Sequence, residues 1–306
     1  MAAIWAALGP VFLIILLGAL LARMKFPGET FWPMAERFTY YVLFPAMLIH
    51  KLAVAPLDAA LLGSIPLLAA IPLLTVTAAL WLAFPALNLS GPRFTSLYQG
   101  AIRFNTYIGL AAADALYGSV GLATAALLIA LKIPLVNLLC VTIFARHGDH
   151  PSGATPPLLR EVARNPLILG CVVGAFLNLT GIGLPGWLEP TAKLLGAPAL
   201  TIGLLAVGVG LKWDALRASG WTLWLSSGVK LLIMPLLALL LAHWLGLPLM
   251  AQVIVVLFHA LPTATSAYIL SRQLGGDAPL MAGLITAQTL LAMLTLPLWI
   301  VLTQNG

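Results

Sequence analysis

Between residues 59 and 92 the chain carries no charged side chain. No surface element of a water-soluble domain can be built from such a stretch. It is long enough for one helix across the roughly 30 Å hydrocarbon core of a bilayer, with a turn to spare. The rest of the 306 residues has the same character: 61% are hydrophobic and 8% charged, against about 25% charged in a soluble domain. The apolar runs are continuous and do not alternate with a period of two, which excludes a transmembrane barrel. A helical, polytopic membrane protein is the reading that remains. At about 30 residues for each span and its loop, the chain holds about ten spans and no separate soluble domain.

The runs predict spans at 5–22, 34–50, 61–87, 94–117 and 120–144, then a polar stretch at 146–165. Further spans are predicted at 166–179, 187–211, 221–245, 249–272 and 278–302. No Lys or Arg precedes the first run and no small-residue cleavage site follows it, so it is expected as an uncleaved span. Pro45 should interrupt the second span. The plan is five spans (1–145), a linker (146–164) and five spans (165–306). Faint echoes join the halves: Pro10 and Gly18 with Pro166 and Gly174, Trp32 and Pro45 with Trp187 and Pro198, Tyr117-Gly118 with Gly275-Gly276. An odd number of spans per half inverts the second half, and inverted repeats are a transporter signature.

The formal charge of +6 does not call for nucleic acid, because the cations are placed by topology. With the N-terminus outside, Arg23, Lys25, Arg37, Arg93, Arg146, Arg160, Arg164, Lys212, Arg217 and Arg272 all fall on the inner side. Lys51 and Lys193 face the other way. Lys and Arg concentrate on the cytoplasmic side of membrane proteins, so both termini are expected in the periplasm and the linker in the cytoplasm, across a bacterial-type inner (plasma) membrane.

Several motifs do not survive their context. Gly181-Ile182-Gly183-Leu184-Pro185-Gly186 matches a dinucleotide fingerprint but follows a membrane span and contains proline, so it reads as a turn. The sequons at Asn88 and Asn178 read as accidental. Gly170 and Gly174 form a GxxxG pattern and read as close helix packing. Cys140 and Cys171 lie inside apolar runs and suggest neither pairing nor a metal. No metal-ligand cluster and no catalytic pair or triad is present in the sequence, so neither an enzyme nor a cofactor is expected.

What is left is a short set of polar residues at membrane depth: Arg103, Asn105 and Asp114 in span four, Lys132 and Asn137 in span five, Lys230 in span eight and His259 in span nine. Each is costly in hydrocarbon and needs a partner or a wet cavity. Three cations against one acid make the interior net positive, which suits an anionic substrate. Asp114 could neutralise Lys132 or Arg103, and with Lys230 these are the candidates for coupling or charge pairing. In span nine, Pro262 removes a helix hydrogen bond at mid-depth and is followed by Thr263, Thr265 and Ser266. Broken helices at that depth line cavities, and their half-helix N-termini attract anions.

Ordered short stretches are similar to the auxin efflux carrier family, which includes plant PIN-type carriers and many bacterial carriers of small organic anions. They are Pro10 through Gly18, Phe44-Pro45-Ala46, Asn105-Thr106-Tyr107-Ile108-Gly109-Leu110 with Ala115 through Gly118, Asn165-Pro166, and Leu205 through Leu211. Pro262 through Gly275-Gly276-Asp277 to Thr295-Leu296-Pro297 completes the set. The resemblance implies ten spans as two inverted five-helix repeats, with spans four and nine broken or kinked where they cross at the substrate site. Spans one, two, six and seven would form a scaffold and the others a mobile unit. The family often has proline where this chain has Ala111, which leaves Gly109 as the expected break of span four.

The expected function is a secondary transporter of small organic anions, such as mono- or dicarboxylates, working by alternating access. Arg103, Asn105, Thr106, Gly109, His259, Pro262, Thr263 and Ser266 are the candidate substrate contacts. A sodium-coupled symporter of the bile-acid type shares the inverted-repeat plan and stands as the other transporter reading. A membrane-embedded sensor is disfavoured by the lack of a soluble domain. The expected partners are the anion, the bilayer and a second copy of the chain as a homodimer, and coupling to H+ or to Na+ stays open.

Overall fold

Every regular element of the computed structural model is helical over the described residues, which are 2–28, 30–55, 59–149, 164–218 and 220–305. Most of the polar linker, 150–163, lies outside them. Among the described residues, six helical stretches are long and apolar enough to cross a membrane: Ala2–Arg23, Gly63–Leu87, Gly91–His147, Leu188–Val209, Gly220–Trp244 and Ala278–Asn305. Pro166–Leu179 and Leu249–Ala260 are shorter apolar helices. A multi-pass membrane protein follows from length and composition.

The contacts gather into two compact units that ignore the boundary between the sequence halves. The first comprises Met1–Leu62, Tyr107–Ala130 and Leu158–Gly210; the second comprises Gly63–Thr106, Leu131–Pro157 and Leu211–Gly306. Each draws on both halves of the chain.

In the first unit, α1 (Ala2–Arg23) packs on α9 (Ala199–Val209). Two glycines allow it. A Cβ at Gly18 would strike the Leu205 carbonyl, and one at Gly208 would strike the Ile15 carbonyl. Helices without a hydrophobic drive toward each other associate through such close backbone approach. The same device seats α7 (Pro166–Leu179) on α3 (Phe44–Val54): Gly170 faces Pro45, and Gly174 faces Ile49 and Leu52. The GxxxG pattern therefore serves packing. Asn165 starts α7 as an N-cap, its side chain accepting from the amides of Leu167 and Ile168 at 3.0 and 3.2 Å, with Pro166 in the first turn. At the other end Asn178 Nδ2 donates to the carbonyls of Leu52, Ala53 and Ala55, which closes the C-terminus of α3. The nitrogen of that sequon is thus already engaged.

Pro45 does not interrupt its span. A π-helical turn over Thr39–Leu43 joins α2 (Phe31–Phe38) to α3, and backbone angles stay helical through Phe44. A wider turn accommodates the missing N–H and the bulk of the proline ring. Pro235 is treated alike in the second unit, where a π turn at Val229–Ile233 joins α11 (Gly220–Gly228) to α12 (Met234–Trp244).

The second unit is organised on α15 (Ala278–Asn305), whose first half is buried almost residue by residue from Leu280 to Thr289. Met281, Leu284 and Ile285 pack with Leu223 and Ala267. Around it lie α4 (Ala59–Leu87), α5 (Gly91–Ile102), the part of α6 (Thr106–His147) from residue 131, α13 (Leu249–Ala260) and α14 (Ser266–Gln273). α6 itself is two helices meeting at Gly118, whose φ of 57° and ψ of −141° no L-residue adopts cheaply.

Two breaks in the second unit matter most. Span nine parts between Ala260 and Ser266, as Pro262 predicts. Span four parts between Ile102 and Thr106, where Arg103 is extended (φ −70°, ψ 156°). The expected break at Gly109 is corrected: Gly109 sits buried inside α6, in the first unit.

Candidate functional site

The two breaks meet. The backbone N–H of Asn105 donates to the Pro262 carbonyl at 2.8 Å. Each break leaves backbone donors and acceptors without helical partners, and here the two segments supply one another. A third element joins them. Gln288 on α15 accepts from the Thr263 amide through Oε1 at 2.9 Å and donates from Nε2 to the Gly100 carbonyl at 3.1 Å. One buried side-chain amide thereby closes a donor in one break and an acceptor at the edge of the other. Lower down, Gln99 Nε2 donates to the Ala267 carbonyl and to Ser271 Oγ. The sequence reading passed over Gln99 and Gln288. The signal was available, because an amide at the middle of an apolar helix is costly unless it is used.

Beside the junction stands Arg103, half-buried, on the extended segment. Its guanidinium donates to Asn137 Oδ1 at 3.1 Å and to Ser266 Oγ at 3.4 Å. No carboxylate pairs with it among the described residues. An arginine held on one side by neutral acceptors keeps further N–H donors and its full charge for an anion. Ser266, at the start of α14, is exposed, and Thr106 is partly so. Asn105, Pro262 and Thr263 are buried, and Thr263 Oγ1 has no hydrogen-bond partner among the described residues.

On the interior side lie the basic groups. Lys132, Lys230 and His259 are all fully buried and interact electrostatically with one another. Lys132 Nζ donates to the Phe258 carbonyl at 2.9 Å and lies 4.8 Å from the centre of the Phe104 ring. His259 Nδ1 bonds within its own helix to the Val255 carbonyl at 2.8 Å, while its Nε2 and Lys230 Nζ have no hydrogen-bond partner among the described residues.

Of the predicted site residues, Arg103, Asn105, Thr106, His259, Pro262, Thr263, Ser266, Lys132 and Lys230 all lie in this second unit. Gly109 and Asp114 lie in the first. The pairing expected of Asp114 with Arg103 or Lys132 is corrected. Its partner is Lys51, whose Nζ donates to Oδ1 at 3.3 Å, both side chains about a third exposed. Lys51 belongs to the last turn of α3 and not to a loop. A partly exposed pair costs less to form than a fully buried one, and it engages Asp114 within the first unit. Among the described residues no three His, Cys, Asp or Glu side chains gather as a metal site.

Comparison with known proteins bears on this geometry. The model of the Sodium Bile acid symporter family matches residues 197–305, about a third of the chain, including the whole of α13, the Pro262 break and α14. An uncharacterized transporter of Methanothermobacter thermautotrophicus is 25% identical over 297 residues, which is 94% of this chain and 95% of that protein. Both findings mark a transporter. They overturn the resemblance to the auxin efflux carriers, for the family model that matches is another one. The short Gly and Pro signatures behind that resemblance report helix breaks and close packing, which any transporter with broken helices requires.

Proposed function

We propose that this chain is a secondary transporter of a carboxylate-bearing organic anion, working by alternating access around the junction of the two broken segments. The hydrogen bond from Asn105 to Pro262, with an arginine beside it that no acid among the described residues neutralises, is the observation that carries this reading. Arg103 would pair with the carboxylate, and Ser266 and Thr106 would add hydrogen bonds. Ten spans in two inverted sets of five, with the breaks in spans four and nine, are the architecture we infer. From the Lys and Arg asymmetry we infer that both termini lie outside an inner membrane.

Small mono- or dicarboxylates fit the compact set of polar groups around Arg103. A second reading, sodium-coupled uptake of a larger bile-acid-like anion, is favoured by the family model that matches the second half of the chain. Thermal-shift screening of the purified protein against small carboxylates and cholate, followed by uptake into proteoliposomes, separates the two. Binding and uptake of a small carboxylate but not of cholate supports the first reading, the opposite pattern the second. No binding or uptake of either class would remove the transporter assignment from this site.

A further inference from the structure

In a continuous helix the Phe258 carbonyl would accept from the amide of residue 262. That residue is proline and has no N–H to give. The orphaned carbonyl belongs to the last turn of α13, where the unpaired carbonyls make the negative end of the helix. Its partner is Lys132 Nζ at 2.9 Å. The other side of the amine faces the ring of Phe104, 4.8 Å from Nζ to the centroid, and Phe104 lies in the break of span four. Lys132 therefore touches both breaks at once, from a third helix, with its side chain fully buried.

This is a place with a general meaning. In transporters built on broken helices, unwound carbonyls and half-helix C-terminal ends hold the coupling cation. Sodium there needs several oxygen ligands. Here the free carbonyl is taken, one wall is an aromatic face, and the titratable neighbours are Lys230 on the π turn and His259 on α13, both basic. No carboxylate pairs with any of the three among the described residues. A metal ion set at this point would meet the amines and no compensating charge.

We propose that the Lys132 amine fills the coupling-cation position of the junction, so that anion movement through this chain does not require sodium. The inference rests on the transporter reading, but part of its test does not. The full-length protein is melted in sodium chloride and in choline chloride, and uptake of succinate and of cholate into proteoliposomes is measured with and without a sodium gradient. The wild type should melt alike in both salts, and its uptake should ignore the gradient. Lys132→Ala vacates the position, and its melting temperature should become cation-dependent, rising by several degrees in methylammonium chloride, which replaces the lost amine, relative to choline. Coupling between two sites amounts to about 5–150-fold in affinity, so a sodium stimulation of wild-type uptake of about tenfold would overturn the proposal. So would a sodium-specific rise in wild-type melting, or a folded Lys132→Ala protein indifferent to every cation. If that variant does not fold, the wild-type measurements decide alone. If neither anion is taken up, the transporter reading fails, and the melting comparison still decides the role of Lys132.

Discussion

The amide of Asn105 and the carbonyl of Pro262, 2.8 Å apart, tie a break that a proline causes to a break that no proline causes. Neither Arg103, Phe104 nor Asn105 is a helix breaker by type. Asn105 leaves the helix because its N–H has a partner in the opposite segment, and that partner is free because Pro262 has already opened span nine. The two breaks form as a pair.

Pro262→Ala tests this directly. Alanine supplies an N–H aimed at the Phe258 carbonyl and competes there with Lys132. A continuous helix would also draw the residue-262 carbonyl toward the Ser266 amide and away from Asn105. Carboxylate affinity should fall by about tenfold while thermal stability holds or rises, since a proline inside a helix costs about 3 kcal/mol. Isothermal titration and a melting curve on the same preparation check both. Unchanged affinity would make Pro262 a tolerated kink.

Arg103→Gln should abolish the charge-assisted contact, worth about 1.5–3 kcal/mol, and reduce anion affinity by one to two orders of magnitude. The fold should survive, because no acid among the described residues is stranded by the change. Asn137→Leu keeps the guanidinium but removes its anchor, so a smaller loss of affinity is expected. A well-folded Arg103→Gln protein that binds as before would take Arg103 out of the site.

Gln288→Met preserves length and removes the bridge. The Thr263 amide and the Gly100 carbonyl would then be buried without partners, at about 1–3 kcal/mol each. A clear drop in melting temperature is expected. Gln288→Glu keeps an acceptor for Thr263 and loses the donor to Gly100, so it should fall in between. Equal stability of all three proteins would mean that the breaks are held by other contacts.

In the first unit, Gly208→Val should destabilise by about 1–3 kcal/mol through overpacking against α1. Gly9→Ala makes the control. A Cβ there meets nothing within 4 Å, and helix propensity favours alanine by about 1 kcal/mol. The melting temperature should drop for the first and hold or rise for the second.

The charge asymmetry is checked by topology reporters. One fused between residues 151 and 157 should report cytoplasm, and one at residue 306 should report periplasm. A periplasmic signal from the linker would overturn the orientation together with the span count.

Apolar run length by itself determined that this chain crosses a membrane as helices, because hydrocarbon leaves a backbone no other partner for its polar groups. Local chemistry was equally legible at Pro262 and in the Gly170–Gly174 pair, where one residue type forces or permits the geometry around it. Four features were settled only by tertiary structure: the break at 103–105, the Gln288 bridge, the seat of Lys132 and the partner of Asp114. Each depends on a donor or acceptor that another segment brings from far along the chain. Sequence position says which groups are costly to bury, and only the folded arrangement says which other group meets the cost, as Lys51 does for Asp114 and the Phe258 carbonyl for Lys132.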